Sequence, residues 1–215
     1  AVSNSSDDAD FTPDTTANAA EGMTVQRVLF APPADWIDPD LYFTVKGADG
    51  AAGSATPSRT AIELGPRTTV ATDTYFGRFR ASQWQRWTTV PEVTIRGRVC
   101  GDVRVRAYTE DIGGHLRLEA SHARATAADI ATSPESDIAL TVPLDRFADG
   151  GAIHVVVDSG DAGGAVEDLR YTVAADQVRR DIPTDIVICT YNRPVDCATP
   201  VATLAHDRAA LERVR

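Results

Sequence analysis

Glu92-Val93-Thr94-Ile95-Arg96-Gly97-Arg98-Val99-Cys100-Gly101-Asp102-Val103-Arg104-Val105-Arg106-Ala107-Tyr108 alternates small or apolar side chains with polar ones almost without a break. Val93, Ile95, Gly97 and Val99 fall on one side, with Thr94, Arg96 and Arg98 on the other. After Gly101-Asp102, Val103, Val105 and Ala107 continue the apolar side against Arg104 and Arg106. A period of two is the mark of a strand with one face in a core. With Gly101-Asp102 read as a turn, the stretch predicts two strands of a hairpin, its four arginines on one face. Such a face could meet pyrophosphate or anionic lipid headgroups. The competing reading is a solvated face whose arginine stems cover apolar surface while their heads stay wet.

The same pattern extends outward in both directions. Residues 25–30, 41–46, 60–64, 68–72, 115–120, 138–142, 153–158 and 169–173 form further short runs, punctuated by Gly and Pro. With the two strands above, about ten strands fall between residues 23 and 180. That density predicts a mainly β, jelly-roll-like β-sandwich without a helix of ordinary length. Residues 1–22 hold Asp7, Asp8, Asp10, Asp14 and Glu21, no base and one aromatic, Phe11. They are expected to be a disordered acidic tail.

A different texture begins at residue 181. Ile186-Val187-Ile188-Cys189 is apolar throughout, as suits a strand buried on both faces of a parallel sheet. Asn192 and Pro194 then supply a cap and a first helical turn, and Val195, Ala198, Val201 and Ala202 recur at helical spacing. Strand, polar turn and helix make one βα unit. In an open α/β sheet the loop leaving the strand's carboxyl end is where ligands lie. That loop is Thr190-Tyr191-Asn192-Arg193.

Val187-Ile188-Cys189-Thr190-Tyr191-Asn192-Arg193-Pro194 resembles the opening of the nucleotide-sugar domain in inverting glycosyltransferases of the GT-A fold. The strings Thr74-Tyr75-Phe76-Gly77-Arg78-Phe79-Arg80-Ala81-Ser82-Gln83-Trp84-Gln85-Arg86-Trp87 and Pro143-Leu144-Asp145-Arg146-Phe147-Ala148-Asp149-Gly150-Gly151 narrow the resemblance to actinobacterial polymerising galactofuranosyltransferases. The resemblance implies a hexosyltransferase that extends a cell-wall galactan from UDP-galactofuranose. It implies Arg193 as the uridine-diphosphate contact, a role suited to a rigid guanidinium fork, with Thr190, Tyr191 and Asn192 shaping the nucleotide pocket. It also implies a divalent cation, Mn or Mg, a lipid-linked galactan acceptor, a homo-oligomer, and a cytoplasmic protein at the inner face of the plasma membrane. The family's metal-binding Asp-x-Asp follows a later strand. Asp8-Ala9-Asp10 sits in the polar tail, and Asp38-Pro39-Asp40 reads as a turn. The expectation is therefore the front of such an enzyme, cut soon after residue 181, with no catalytic or metal residue of its own. The alternative is a non-catalytic β-sandwich serving carbohydrate binding or oligomerisation.

Within the sandwich, Trp84, Trp87 and Tyr75 are the candidate acceptor or interface residues, because aromatic rings stack on sugar faces and anchor contacts. Core packing is the competing reading. His115, His122, His154 and His206 form no metal or triad pattern. Asp158-Ser159-Gly160-Asp161-Ala162-Gly163-Gly164 lacks calcium-loop spacing and reads as a hairpin connection. Cys100, Cys189 and Cys197 are expected to be free thiols in a reduced protein. The net charge of −10 argues against nucleic acid as the main partner. No stretch is apolar for long enough to span a bilayer.

Overall fold

The computed structural model describes residues 22–32, 37–48, 51–122, 135–174, 198, 201–203 and 205–206. The chain divides into two compact units, Ala1–Gln177 and Val178–Arg215. In the second unit Ala198, residues 201–203 and residues 205–206 are helical, and His206 Nδ1 lies 2.7 Å from the carbonyl oxygen of Ala202. The expected strand at Ile186 to Cys189, the loop Thr190 to Arg193 and the acidic tail at 1–22, save Gly22, lie outside the described residues.

Among the described residues the first unit holds nine strands. These are β1 (Met23–Arg27), β2 (Thr44–Lys46), β3 (Ala55–Pro57), β4 (Ala61–Leu64), β5 (Thr69–Ala71), β6 (Glu92–Glu110), β7 (Leu116–His122), β8 (Glu135–Pro143) and β9 (Ala152–Val173). A short helix, α1 (Ala81–Trp87), precedes β6, and a 3-10 turn at Pro39–Leu41 precedes β2. Asp38 caps that turn, its carboxylate accepting from the Asp40 amide at 2.9 Å.

Two strands organise everything else. β6 and β9 run antiparallel to each other along nearly their whole length. The first half of β6 pairs with β8 on its other edge and the second half with β7. β9 carries β5, β4 and β1 in turn along its free edge, with β2 and β3 outside β5 and β4. Hydrogen bonding therefore joins all nine strands into a single sheet. That sheet folds over on itself. Tyr171 near the end of β9 donates its hydroxyl to the carbonyl of Ile153 near the start, at 3.5 Å and eighteen residues away. Phe79, bridged to Ile153, stacks on the Tyr171 ring at 4.7 Å. Eighteen extended residues would span roughly 60 Å, so β9 bends back and its two halves face each other across the core. This is the expected sandwich, with its layers continuous through β6 and β9.

The fold-over lies where Gly101 opposes Gly164 and, two residues on, Val103 opposes Ser159. β9 therefore spends residues 160–163 where β6 spends only Asp102. Gly101 (φ 82°) and Gly163 (φ 73°) take the left-handed conformations this corner requires. At Gly163 a Cβ would also come within 2.6 Å of the Leu64 carbonyl oxygen.

The corner corrects two sequence readings. Gly101-Asp102 is no hairpin turn: Glu92–Val99 and Asp102–Tyr108 are one bent strand, and the segment 158–164 bends inside β9 instead of linking two strands. Consequently Arg96 and Arg98 lie on the outer face of one layer, Arg104 and Arg106 on that of the other. The alternation itself is as expected. Val93, Ile95, Val99, Val103, Val105 and Ala107 are all buried. Each fully buried Val or Ile contributes about 1.5–3 kcal/mol.

Candidate functional site

The segment between β5 and α1 crosses the edge of the sandwich and is pinned by its aromatic residues. Phe79 is buried, its amide donating to the Ile153 carbonyl at 2.8 Å, and Trp84 of α1 covers it at 5.8 Å between ring centroids. Gly77 lets the chain turn tightly here, since a Cβ would lie 2.5 Å from the Thr72 carbonyl oxygen and 2.6 Å from that of Tyr42. Phe76 remains partly exposed and packs on Tyr42 at 4.9 Å.

This arrangement leaves a cleft of about 790 Å³ facing the turn between β6 and β7. One wall carries Asp73, Tyr75, Arg78, Arg80 and Gln83; the other carries Glu110, Asp111 and the Gly113-Gly114 backbone. The Tyr75 ring is 65% exposed, and the Arg80 guanidinium stands over it at 5.5 Å. Arg78 reaches across to Glu110 at 3.0 Å, and its Nε donates to the Asp73 carbonyl at 2.9 Å. Asp111 accepts from the Gly113 and His115 amides at 2.8 and 2.9 Å and pairs with the His115 ring at 3.0 Å. The amide and ring of His115, first in effect, hold the Asp111 carboxyl below the usual carboxylate range. Arg78 and Asp111 thus have partners of opposite charge, whereas Arg80 meets the Tyr75 ring and Asp73 has no ion pair among the described residues.

Beneath the cleft lies His154, buried and stacked on Tyr108 at 5.7 Å between ring centroids. Desolvation lowers its pKa against the opposing pull of Asp73 and Glu110, so the ring is neutral near pH 7. Its Nδ1 is buried without a hydrogen-bond partner. Among the described residues no group of three His, Cys, Asp or Glu side chains could hold a metal ion.

Of the aromatic residues singled out from the sequence, Tyr75 alone lines the cleft. Trp84 packs on Phe79, and Trp87, 77% exposed, stands outside at the end of α1. Thr190, Tyr191, Asn192 and Arg193 lie outside the described residues. Sequence reading missed Asp73, Arg78, Arg80, Gln83, Glu110 and Asp111. Their signal was faint: Asp111-Ile112-Gly113-Gly114 is a turn between two strands, and only the pairing of β6 with β9 brings it opposite Tyr75.

Residues 25–172 match the family model described as galactofuranosyltransferase 2 N-terminal. The chain is 28% identical over 187 residues to galactofuranosyltransferase GlfT2 of Mycolicibacterium smegmatis, covering 85% of this chain and 27% of the relative. It is also 28% identical over 184 residues to galactofuranosyltransferase GlfT2 of Mycobacterium tuberculosis, covering 85% of this chain and 28% of the relative. The chain therefore spans little more than a quarter of the curated relatives it matches. Among solved structures, the CBM22-1 xylan-binding domain of Paenibacillus barcinonensis Xyn10C aligns at TM-score 0.41 and 11% identity, over 72% of this chain and 96% of that one. TmCBM61 in complex with β-1,4-galactotriose aligns at TM-score 0.36 and 10% identity, over 68% and 91%. Scores this low do not bear on what the chain binds.

Proposed function

Because the chain belongs to the galactofuranosyltransferase 2 N-terminal family, we propose that it is the N-terminal portion of an enzyme that transfers galactofuranose from UDP-galactofuranose to a growing cell-wall galactan. The family match over residues 25–172 carries this reading. The reaction is a single inverting displacement: an acceptor hydroxyl attacks the anomeric carbon, a carboxylate takes its proton, and UDP departs. Arg193, with Thr190, Tyr191 and Asn192, contacts the uridine diphosphate. A divalent cation, Mn or Mg, would neutralise the departing diphosphate. Among the described residues no group of three His, Cys, Asp or Glu could hold it.

The share of the sandwich is the acceptor. A furanoside chain is neutral and rich in hydroxyls, and the cleft offers an exposed ring for stacking with paired carboxylate, guanidinium and amide groups at its rim. The acceptor is lipid-linked and the enzyme is a homo-oligomer working at the cytoplasmic face of the plasma membrane. Among the described residues no helix is long and apolar enough to cross a bilayer. The test is steady-state transfer by the intact enzyme to a galactofuranosyl oligosaccharide. Tyr75→Ala should raise the acceptor KM about tenfold, the worth of a stacking contact, and leave the donor KM unchanged. Arg193→Ala should do the reverse. An acceptor KM unaffected by Tyr75→Ala removes the cleft from acceptor binding.

A further inference from the structure

The outer face of the other layer carries a row of arginines on neighbouring strands. Arg27 of β1 sits in register with Arg170 of β9, and Arg170 with Arg96 of β6. Three guanidinium groups thus stand side by side across three strands, where like charges oppose each other. A register shift between Arg96 and Arg98 places Asp168 beside them in a left-handed conformation, φ 48°. Asp168 pairs with Arg27 at 2.7 Å and with Arg170, while Arg98 pairs with Glu167 at 2.9 Å. Arg96 is the exception. Its neighbour on β8 is Ala139, no carboxylate among the described residues pairs with it, and its Nε is buried without a hydrogen-bond partner.

A pocket of about 270 Å³ opens there, lined by Arg96, Arg98, Arg170, Asp137 and Asp168 with the Gly97 backbone. Counting Arg27 and Glu167, which pair with Asp168 and Arg98, four guanidinium groups stand here against three carboxylates among the described residues. Charge excess, an unpaired guanidinium and a walled recess coincide at one point. We propose that this pocket binds a phosphoryl group, with Arg96 as its principal ligand and Arg98 and Arg170 beside it. A tetrahedral dianion supplies acceptor oxygens for more than one guanidinium fork and relieves the repulsion along the row. A phosphate ester in solution and a phosphomonoester lipid headgroup present the same chemistry.

The experiment is a titration of the 215-residue chain, followed by amide NMR, with inorganic phosphate. In parallel, cosedimentation is measured with phosphatidylcholine vesicles containing phosphatidic acid. The expected result is saturable binding that shifts the Arg96, Gly97 and Arg98 amides. It should weaken about tenfold in Arg96→Gln, partly recover in Arg96→Lys, and persist in Arg104→Gln, which removes an exposed arginine from the opposite layer. Arg96-dependent binding of phosphate assigns a soluble ligand. Arg96-dependent binding of vesicles alone assigns a headgroup. Binding by neither probe, or equal loss in Arg104→Gln, overturns the proposal, and the unchanged amide pattern of Arg96→Lys away from the pocket shows that the fold is intact.

Discussion

The cleft beside Tyr75 and the pocket beside Arg96 are both rich in arginine, yet their electrostatics differ. In the cleft two charges are paired, Arg78 with Glu110 from the facing wall and Asp111 with His115 in its own turn, while Arg80 stands over the Tyr75 ring. In the pocket the arginines come from adjacent strands in register, and Asp168 serves two of them while Arg96 has none. Paired charges suit a neutral polyol, which needs donors and acceptors but gains little from a field. Surplus charge suits an anion. On the proposed reading, preference follows from which elements contribute the residues, not from how many arginines are present.

Several changes would break or sharpen this contrast. The largest effect should come from Phe79→Ala, which removes the buried ring that ties the cleft wall to Tyr171 and Ile153. A loss of about 3–5 kcal/mol is expected in urea denaturation, and both regions should suffer because the two layers meet at that ring. Gly77→Ala acts more locally. Its Cβ would press on two carbonyl oxygens, so oligosaccharide binding should fall while phosphate binding at Arg96 persists; equal loss at both would make Gly77 a general stability element.

Salt separates the regions without mutation. Raising ionic strength from about 0.01 to about 0.15 M shortens the screening length from roughly 30 to roughly 8 Å. Phosphate affinity should drop severalfold, and oligosaccharide affinity should not move. The smallest effect concerns pH. Burial holds the folded pKa of His154 below its free value, so the unfolded chain binds the extra proton first. Its neutral form is fully compatible with the fold above about pH 6.5, and stability should decline as pH falls below that value. His154→Gln should flatten this slope in thermal melts recorded across the range. An unchanged slope would assign acid sensitivity to other groups.

The inward face of β6 was legible from its alternation alone, because burial on one side of a strand writes a period of two into the chain. The corner was not. Gly101 reads equally as a hairpin turn or as a bend within one strand, and only the partner on β9, about sixty residues later, decides between them. α1 is too short to write a helical period into the chain, since seven residues make barely two turns, and its packing rests on Trp84 meeting Phe79. The family strings around Tyr75 and Trp84 fall in the segment that walls the cleft. Which of its aromatic rings faces solvent was set by Gly77 and by the contact with Ile153, which no local pattern encodes. Arg96 and Arg170 likewise look like ordinary surface residues until register places them side by side.

The most direct measurement is an amide NMR titration of the 215-residue chain with a neutral galactofuranosyl oligosaccharide, without nucleotide. Saturable shifts should centre on Tyr75, Gly113, Gly114 and Ala152, leave Arg96 and Arg98 unmoved, and weaken about tenfold in Tyr75→Ala. Shifts centred instead on Trp87, or no saturable shift at all, would contradict acceptor binding by the cleft.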